Sequence, residues 1–354
     1  MTDRDQLSQL THRDADWAGL SALVAGIGVS GFAAADALLE RGVRVVVVDA
    51  RDGARERERA QILGVLGAAV HLGSEPDPVL LQGIDLIVTS PGWRPDQPLL
   101  AAARAAGLPV WGEVELAWRM RGEQGAAPWL TVTGTNGKTT TVQMLEAILR
   151  ADGQRAVAAG NVGLPLLEAV LHPHPYDVLA VELSSFQLHW SESISAEASV
   201  CLNVAPDHVD WHGSLEAYTR DKGLVYERTQ VACVYNVADP ATERLVRDAD
   251  VVEGCRAIGF TLGTPAVGML GVVDDVLCDR AFIEERRTSA AELATLADLA
   301  GGGGTTAPPA HTVANALAAA ALARAHGVSP RAVRDGLRGF APGAHRIARV
   351  ADVG

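Results

Sequence analysis

The segment with the clearest chemistry is Thr133-Gly134-Thr135-Asn136-Gly137-Lys138-Thr139-Thr140-Thr141, set between the apolar run WLTVTG (129–134) and the helical pattern VQMLEAILR (142–150). A glycine-rich turn between a strand and a helix aims backbone N–H groups at phosphates. Lys138 can then reach the outer phosphates and the Thr139 hydroxyl can hold magnesium. Val132 stands where the strict GxxxxGK[ST] pattern has its first glycine. The bland alternative, a helix N-terminus rich in capping threonines, leaves the GKT triplet unexplained.

A second fingerprint, Gly26-Ile27-Gly28-Val29-Ser30-Gly31, follows the apolar run LSALVAG (20–26), and Asp49 ends the run VRVVVVD (43–49). The glycines let a diphosphate approach the positive end of a helix, and the acidic residue can accept from a ribose or a base. NAD or NADP is the usual reading, but the motif does not identify the nucleotide, and a tight turn with close helix packing competes with both. Two nucleotide-type sites on separate units disfavour a simple dehydrogenase.

Downstream, Glu182 closes the apolar run VLAVEL (178–183), and Asp207, His208 and Asp210 follow CLNV (201–204). Carboxyl ends of strands in open α/β sheets face the ligand crevice, and oxygen ligands suit magnesium. A surface carboxylate and a structural histidine are the plainer alternatives. Lys222 lies in SLEAYTRDKGLVYER (214–228), read as one helix capped by Ser214, on the stripe of Leu215, Tyr218 and Val225. It therefore points inward. Burial lowers an amine's pKa; a neutral amine can react with carbon dioxide to give a carbamate, whereas a snorkelling side chain would merely cover apolar surface. Of the 30 lysines and arginines only Lys138 and Lys222 are lysine, the other 28 being arginine. An amine is thus retained only inside two motifs.

The elements that must position these groups alternate. Strands at 20–26, 43–49 and 84–90, with a helix near 30–41, predict a mostly parallel sheet over residues 20–120. After the linker MRGEQGAAP (120–128), strands at 129–134, 178–183, 198–204 and 231–237 predict a second α/β unit. GGGGTTAPPA (301–310) reads as a turn-rich loop before a helix at 311–326. The expected organisation is a Rossmann-like domain over 1–126, a P-loop-type α/β domain over 127–342, and the start of a further domain at 343–354. The 354 residues are 48% hydrophobic, with no run long enough to cross a bilayer. The polar start, without a signal segment, predicts a cytoplasmic protein. A formal charge of −13 argues against nucleic acid or an anionic membrane as partner. The four cysteines form no CxxC pair and read as buried free thiols.

GTNGKTTT, ELSSFQL (182–188), APDHVDWHG (205–213), Lys222, HTVANALAA (311–319) and GAHRIARV (343–350) together resemble the Mur ligases, and with GIGVSG in front they resemble the D-glutamate-adding branch. The resemblance implies that Val29, Ser30, Asp49 and Arg51, with Ser90-Pro91-Gly92 nearby, hold a uridine diphosphate sugar. It implies ATP at Gly134, Thr135, Asn136, Gly137, Lys138, Thr139 and Thr140, with Asn315 and Arg346 on adenosine and phosphates. Two magnesium sites follow, using Thr139, Glu182, His208 and a carbamylated Lys222, while Asn161, Ser184 and His208 orient the muramoyl-alanine end. The implied partners are UDP-N-acetylmuramoyl-L-alanine, ATP and D-glutamate, with the chain a monomer. The implied chemistry is an acyl phosphate formed from ATP and then displaced by an amine. The family carries a third domain beyond the GAHRIARV region, so a chain ending at Gly354 is expected to be truncated and weak or inactive as a ligase. An L-alanine-adding ligase (usually HGTHGK at the loop), a folylpolyglutamate synthetase and a non-catalytic nucleotide sensor are the remaining alternatives.

Overall fold

Val-rich and Ala-rich segments alternate along the chain, and a computed structural model, describing residues 7–300 and 308–341, shows them closing into two sheets. In the first, β1 (Ser21–Ala25), α1 (Val29–Leu39), β2 (Arg44–Asp49), α2 (Ala54–Val65), β3 (Ala69–Leu72), β4 (Leu86–Thr89), α3 (Pro98–Ala105) and β5 (Val110–Gly112) give a parallel sheet of order β3-β2-β1-β4-β5. The strand order reverses between β1 and β4, where an open α/β sheet forms its ligand crevice. β1 is buried throughout, as a central parallel strand must be.

Helix α4 (Glu113–Arg119) leads out of this sheet towards the second, nine-stranded one. That sheet is built from β6 (Trp129–Thr133), α5 (Lys138–Ala151), β7 (Ala156–Gly160), α6 (Leu166–Val170), β8 (Val178–Glu182), α7 (Ser185–His189), β9 (Ala198–Cys201), α8 (Val209–His212), α9 (Leu215–Gly223), β10 (Ala232–Asn236), α10 (Pro240–Asp248), β11 (Arg256–Phe260), β12 (Met269–Val273), β13 (Val276–Asp279) and β14 (Ala291–Thr295). Its order is β14-β13-β12-β11-β10-β9-β6-β8-β7. β7 through β12 are parallel, and β13 and β14 add an antiparallel end. Helices α11 (Ala310–Ala325) and α12 (Pro330–Gly339) cover α5. The run Ala318–Ala321 of α11 is fully buried, its small side chains allowing close approach.

Two expectations change. The helix predicted over 214–228 ends at Gly223 and continues as a 3-10 turn, Leu224–Tyr226, with Arg228 at φ 56°. The turn lets the Tyr226 hydroxyl donate to the Val234 carbonyl (2.6 Å) and accept from Cys201 N (2.8 Å), joining β9 and β10 from below. The second sheet also has five strands, β7 and β11–β14, absent from the sequence reading. The loop predicted at 301–310 lies mostly outside the described residues, as do residues 343–354 and Arg346.

The two sheets are tied by carboxylates on α4. Glu113 Oε1 accepts from Leu167 N (2.9 Å) at the start of α6. Glu115 is fully buried; its Oε2 accepts from Glu192 N (2.8 Å) and Ser193 N (2.9 Å), and its Oε1 from Ser193 Oγ (2.5 Å) and Arg119 Nε (2.6 Å). Among the described residues no helix is long and apolar enough to cross a membrane.

Burial pushes the Glu113 carboxyl up from 4.5 to about 7, against the backbone donors that favour its charge. A carboxyl raised on folding keeps its proton where the unfolded chain has lost it. Its contribution is therefore full below the unfolded pKa and is lost as pH rises through the folded one. Glu113→Gln has no proton to lose, so unfolding free energies from urea melts should fall between pH 5 and pH 8 by roughly 2–3 kcal/mol less in the variant than in the wild type.

Candidate active site

At the first crevice, Gly26 (φ 99°) turns the chain after β1 and its N–H donates to the Val48 carbonyl (2.7 Å). A Cβ on Gly31 would strike the Gly26 carbonyl oxygen, so α1 packs against this turn only because Gly31 lacks one. Val29 is exposed and Ser30 half-buried at the mouth, and Ser90, with the turn through Pro91 and Gly92, adjoins from the end of β4, where Ser90 N donates to Ala25 O (2.9 Å). Asp49 is buried, and its oxygens accept from Ile27 N (2.9 Å), Arg51 N (2.9 Å), Arg51 Nε (3.1 Å) and Arg51 Nη2 (2.9 Å). Burial alone would raise this carboxyl; the Arg51 guanidinium and the two backbone donors outweigh it and hold it below the usual range. The four acceptor positions of a carboxylate are thus filled. In this arrangement Asp49 braces the glycine turn and aims Arg51, whose side chain is 65% exposed.

In the second sheet, Gly134 (φ 150°) and Gly137 (φ 88°) shape the loop between β6 and α5. Lys138 Nζ lies 2.9 Å from the Gly134 carbonyl and 3.1 Å from that of Thr135, folded back over the loop. Asn203 clamps the loop from the end of β9, its Oδ1 accepting from Asn136 N (2.9 Å) and its Nδ2 donating to Asn136 O (3.1 Å). The Thr135 hydroxyl is 2.9 Å from Tyr218 OH on α9. Thr139 and Thr140 follow in the first turn of α5. A Cβ on Gly137 would lie 2.5 Å from Asn315 Oδ1, so α11 comes directly against the loop. Beside them is a cavity of about 320 Å³ lined by Asn136, Gly137, Phe260, Leu262, His311 and Asn315. A larger one, about 540 Å³, opens between α9 and α10 and is bordered by none of the predicted site residues.

Glu182, at the end of β8, is buried; Oε1 accepts from Asn161 Nδ2 (2.9 Å) and Oε2 is buried without a partner. An unsatisfied buried carboxylate oxygen is costly, and a bound cation would satisfy it. Ser184 caps α7: Gln187 N donates to its hydroxyl oxygen (3.2 Å), which in turn donates to Gln187 Oε1 (3.0 Å). His208 has a left-handed backbone (φ 48°), an ion-pair distance of 3.4 Å to Asp207, and its ring 4.8 Å from that of Phe186. Its neighbour Asp210 lies in α8.

Lys222 is 2% exposed, with Nζ 4.6 Å from the Tyr218 ring centroid. Burial lowers its pKa to about 8, and the Lys138 charge pushes the same way. The predicted inward stripe holds at Tyr218, Lys222 and Val225, whereas Leu215 is 37% exposed. One arrangement escaped the sequence reading. Asp221 Oδ2 lies 2.7 Å from His212 Nδ1 and 2.9 Å from His189 Nδ1, and His212 Nε2 lies 3.0 Å from Ser185 Oγ. Burial lowers the His212 pKa, against the Asp221 carboxylate. A neutral ring then donates from Nδ1 to Asp221 and accepts from Ser185, tying α7, α8 and α9 together. The only signal in the sequence was the presence of Asp221 beside Lys222 and of His212 within the quoted motif. Among the described residues no three His, Cys, Asp or Glu side chains form a metal-binding cluster.

The profile of the Mur ligase middle domain matches residues 132–323, and that of the MurD-like N-terminal domain of Mur ligases matches residues 21–112. The chain therefore belongs to the Mur ligase family, whose members are ATP-dependent ligases that form amide bonds. Within it, the chain is 61% identical over 339 residues to the UDP-N-acetylmuramoylalanine–D-glutamate ligase of Streptomyces avermitilis, covering 96% of this chain and 70% of that one. It is 50% identical to the enzyme of the same name from Leifsonia xyli, over 97% of this chain and 68% of that one. The chain thus spans about 70% of the length of the first of these relatives. In fold it is similar to the UDP-N-acetylmuramate:L-alanyl-γ-D-glutamyl-meso-diaminopimelate ligase of Neisseria meningitides (TM-score 0.57, 18% identity, 92% of this chain and 99% of that one). A murein peptide ligase from Psychrobacter arcticus is similar at TM-score 0.55 and 17% identity, over 91% of this chain and 68% of that one.

Because Asp49 is buried and Arg51 largely exposed, removing each should have unequal effects. Asp49→Asn leaves a buried backbone donor or the guanidinium short of an acceptor and should lower stability by about 1.5–3 kcal/mol. Arg51→Ala should lower it by under ~1 kcal/mol. Urea denaturation of the two variants measures both, and equal losses would contradict the bracing role.

Proposed function

We propose that this chain provides the sugar-nucleotide and ATP sites of a ligase that joins D-glutamate to UDP-N-acetylmuramoyl-L-alanine. The observation that carries the reading is the juxtaposition, at the ends of neighbouring strands β6 and β8, of a glycine loop bearing Lys138 and a buried Glu182 with one bare oxygen. The names of its relatives supply the substrates. The domain over 1–126 takes the uridine nucleotide along Val29, Ser30, Arg51 and the Ser90–Gly92 turn, with Asp49 behind Arg51. The domain over 127–342 takes ATP, its phosphates on Gly134–Thr140 and its adenosine in the cavity beside Asn315, with Arg346 on the phosphates. The enzyme works as a cytoplasmic monomer.

Lys138 releases the loop carbonyls and turns to the γ-phosphate as the alanyl carboxylate attacks phosphorus and ADP leaves. The amine of D-glutamate then adds to the acyl carbon, phosphate departs, and the nitrogen gives up a proton. Most of the acceleration in such transfers comes from charge stabilisation and positioning. Thr139 and Glu182 are the residues that would hold one magnesium ion, and His208 with a carbamylated Lys222 a second; the ions supply charge neutralisation at phosphoryl oxygens. The neutral Lys222 amine takes up carbon dioxide and loses a proton, which turns a buried cation into an anion. Asn161 and the Ser184 turn orient the muramoyl-alanine end.

Calorimetry with this chain tests the reading. UDP-N-acetylmuramoyl-L-alanine should bind about tenfold or more tightly than NAD, and more tightly than UDP-N-acetylmuramate. Preference for NAD, or binding of neither uridine nucleotide, would reopen the assignment. Lys138→Ala should weaken ATP at least about tenfold and leave the sugar nucleotide unaffected. With ¹³C-bicarbonate at pH 8, near the lowered pKa of Lys222, a carbamate carbon signal should appear and be missing from Lys222→Met.

A further inference from the structure

Cys233 is the second residue of β10 and is almost wholly buried, while Cys255 precedes β11 and is half-buried behind the exposed turn Val252–Gly254. The register of the parallel pair, Ala232 opposite Arg256 and Cys233 opposite Ala257, brings the two sulfurs to 3.8 Å. No other pair of cysteines among the described residues is in contact. We propose that Cys233 and Cys255 form a reversible redox-modification site, in which a peroxide converts the two thiols to a disulfide that staples β10 to β11 across the α10 crossover.

The geometry divides the two roles. Cys255 is reached from solvent through its turn, whereas Cys233 is shielded and can meet only a sulfur delivered from the adjacent strand. The hydrogen bond from Cys233 lowers the Cys255 thiol, and the same contact, together with burial, raises that of Cys233. A half-exposed thiolate beside a resolving thiol is the arrangement that favours oxidation. The Cys255 thiolate attacks one peroxide oxygen, the O–O bond breaks, and the released hydroxide takes up a proton, leaving a sulfenic acid and one water. The Cys233 sulfur then attacks the sulfenic sulfur, the S–O bond breaks, and the second water leaves with the Cys233 proton. Two thiols and one hydrogen peroxide thus give one disulfide and two waters, and a dithiol reverses the change. The loop so closed contains α10, one wall of the 540 Å³ cavity. A cross-link of this span restricts the unfolded chain and stabilises the folded one.

The test uses the purified chain treated with hydrogen peroxide without reductant, then unfolded in guanidinium, blocked with iodoacetamide and digested with trypsin. The expected product joins peptide 229–244 to peptide 248–256 with the loss of two hydrogens, disappears with dithiothreitol, and accompanies a Tm several degrees higher. In Cys233→Ser, dimedone should instead trap a sulfenic acid at Cys255. Three results would overturn the proposal: Cys255 over-oxidised in the wild-type chain without the cross-link, cross-links involving Cys201 or Cys278 in equal amount, or all four thiols remaining alkylated as in the untreated sample.

Discussion

Helix α4 carries two carboxylates into the gap between the sheets, and the useful relation of one crevice to the other rests on them. Glu115 accepts four hydrogen bonds, two from backbone N–H groups of the 192–193 turn, and Glu113 meets the first N–H groups of α6. Turn and helix ends hold donors with no partner of their own, so a carboxylate from the neighbouring unit is a directional tie that apolar packing could not supply. The Trp118 and Trp129 rings, edge to face at 5.0 Å, fill the space beside it. The two crevices keep a fixed geometry because these carboxylates are buried and their oxygens are hydrogen-bonded across the junction.

The second unit departs from that rule where chemistry is expected. Glu182 has a bare oxygen, Lys222 is an amine buried against a tyrosine ring, and His208 holds a left-handed backbone that a histidine adopts only at some cost. Around them the satisfied groups are dense: the Ser185–His212–Asp221–His189 chain, the Asn203 clamp, and the Tyr226 hydroxyl between two strands. The surroundings over-determine the few residues left unsatisfied, as a preorganised site requires.

Much of this was legible in the chain. Long apolar runs identified β1, β2, β4, β6, β8, β9 and β10, because a parallel strand buried on both faces reads as continuous Val, Leu and Ile. The glycine loops and the inward face of Lys222 followed from spacing alone. The strands β3, β5, β7 and β11–β14 did not: AVHL and VWG are very short, and AVAAG and MLGVV are short and partly exposed. The end of α9 at Gly223 was hidden because a helical stripe continues through Val225, and sequence does not show that Leu245 packs where a Cβ on residue 223 would lie. The saturation of Asp49 was equally hidden: sequence shows an acceptor after a strand, but not that its neighbour two residues on already fills it.

The scarcity of lysine has an outcome for the surface as well as the site. An acyl phosphate, the species this function implies, is an electrophile that modifies primary amines wherever it meets them. Guanidinium groups are protonated at any physiological pH and poor nucleophiles towards it. With Lys222 buried and Lys138 in the glycine loop, the side chains beyond the site offer such an escaped species no amine at all. On the proposed function, the arginine-rich surface of this chain leaves such an intermediate no lysine side chain to modify.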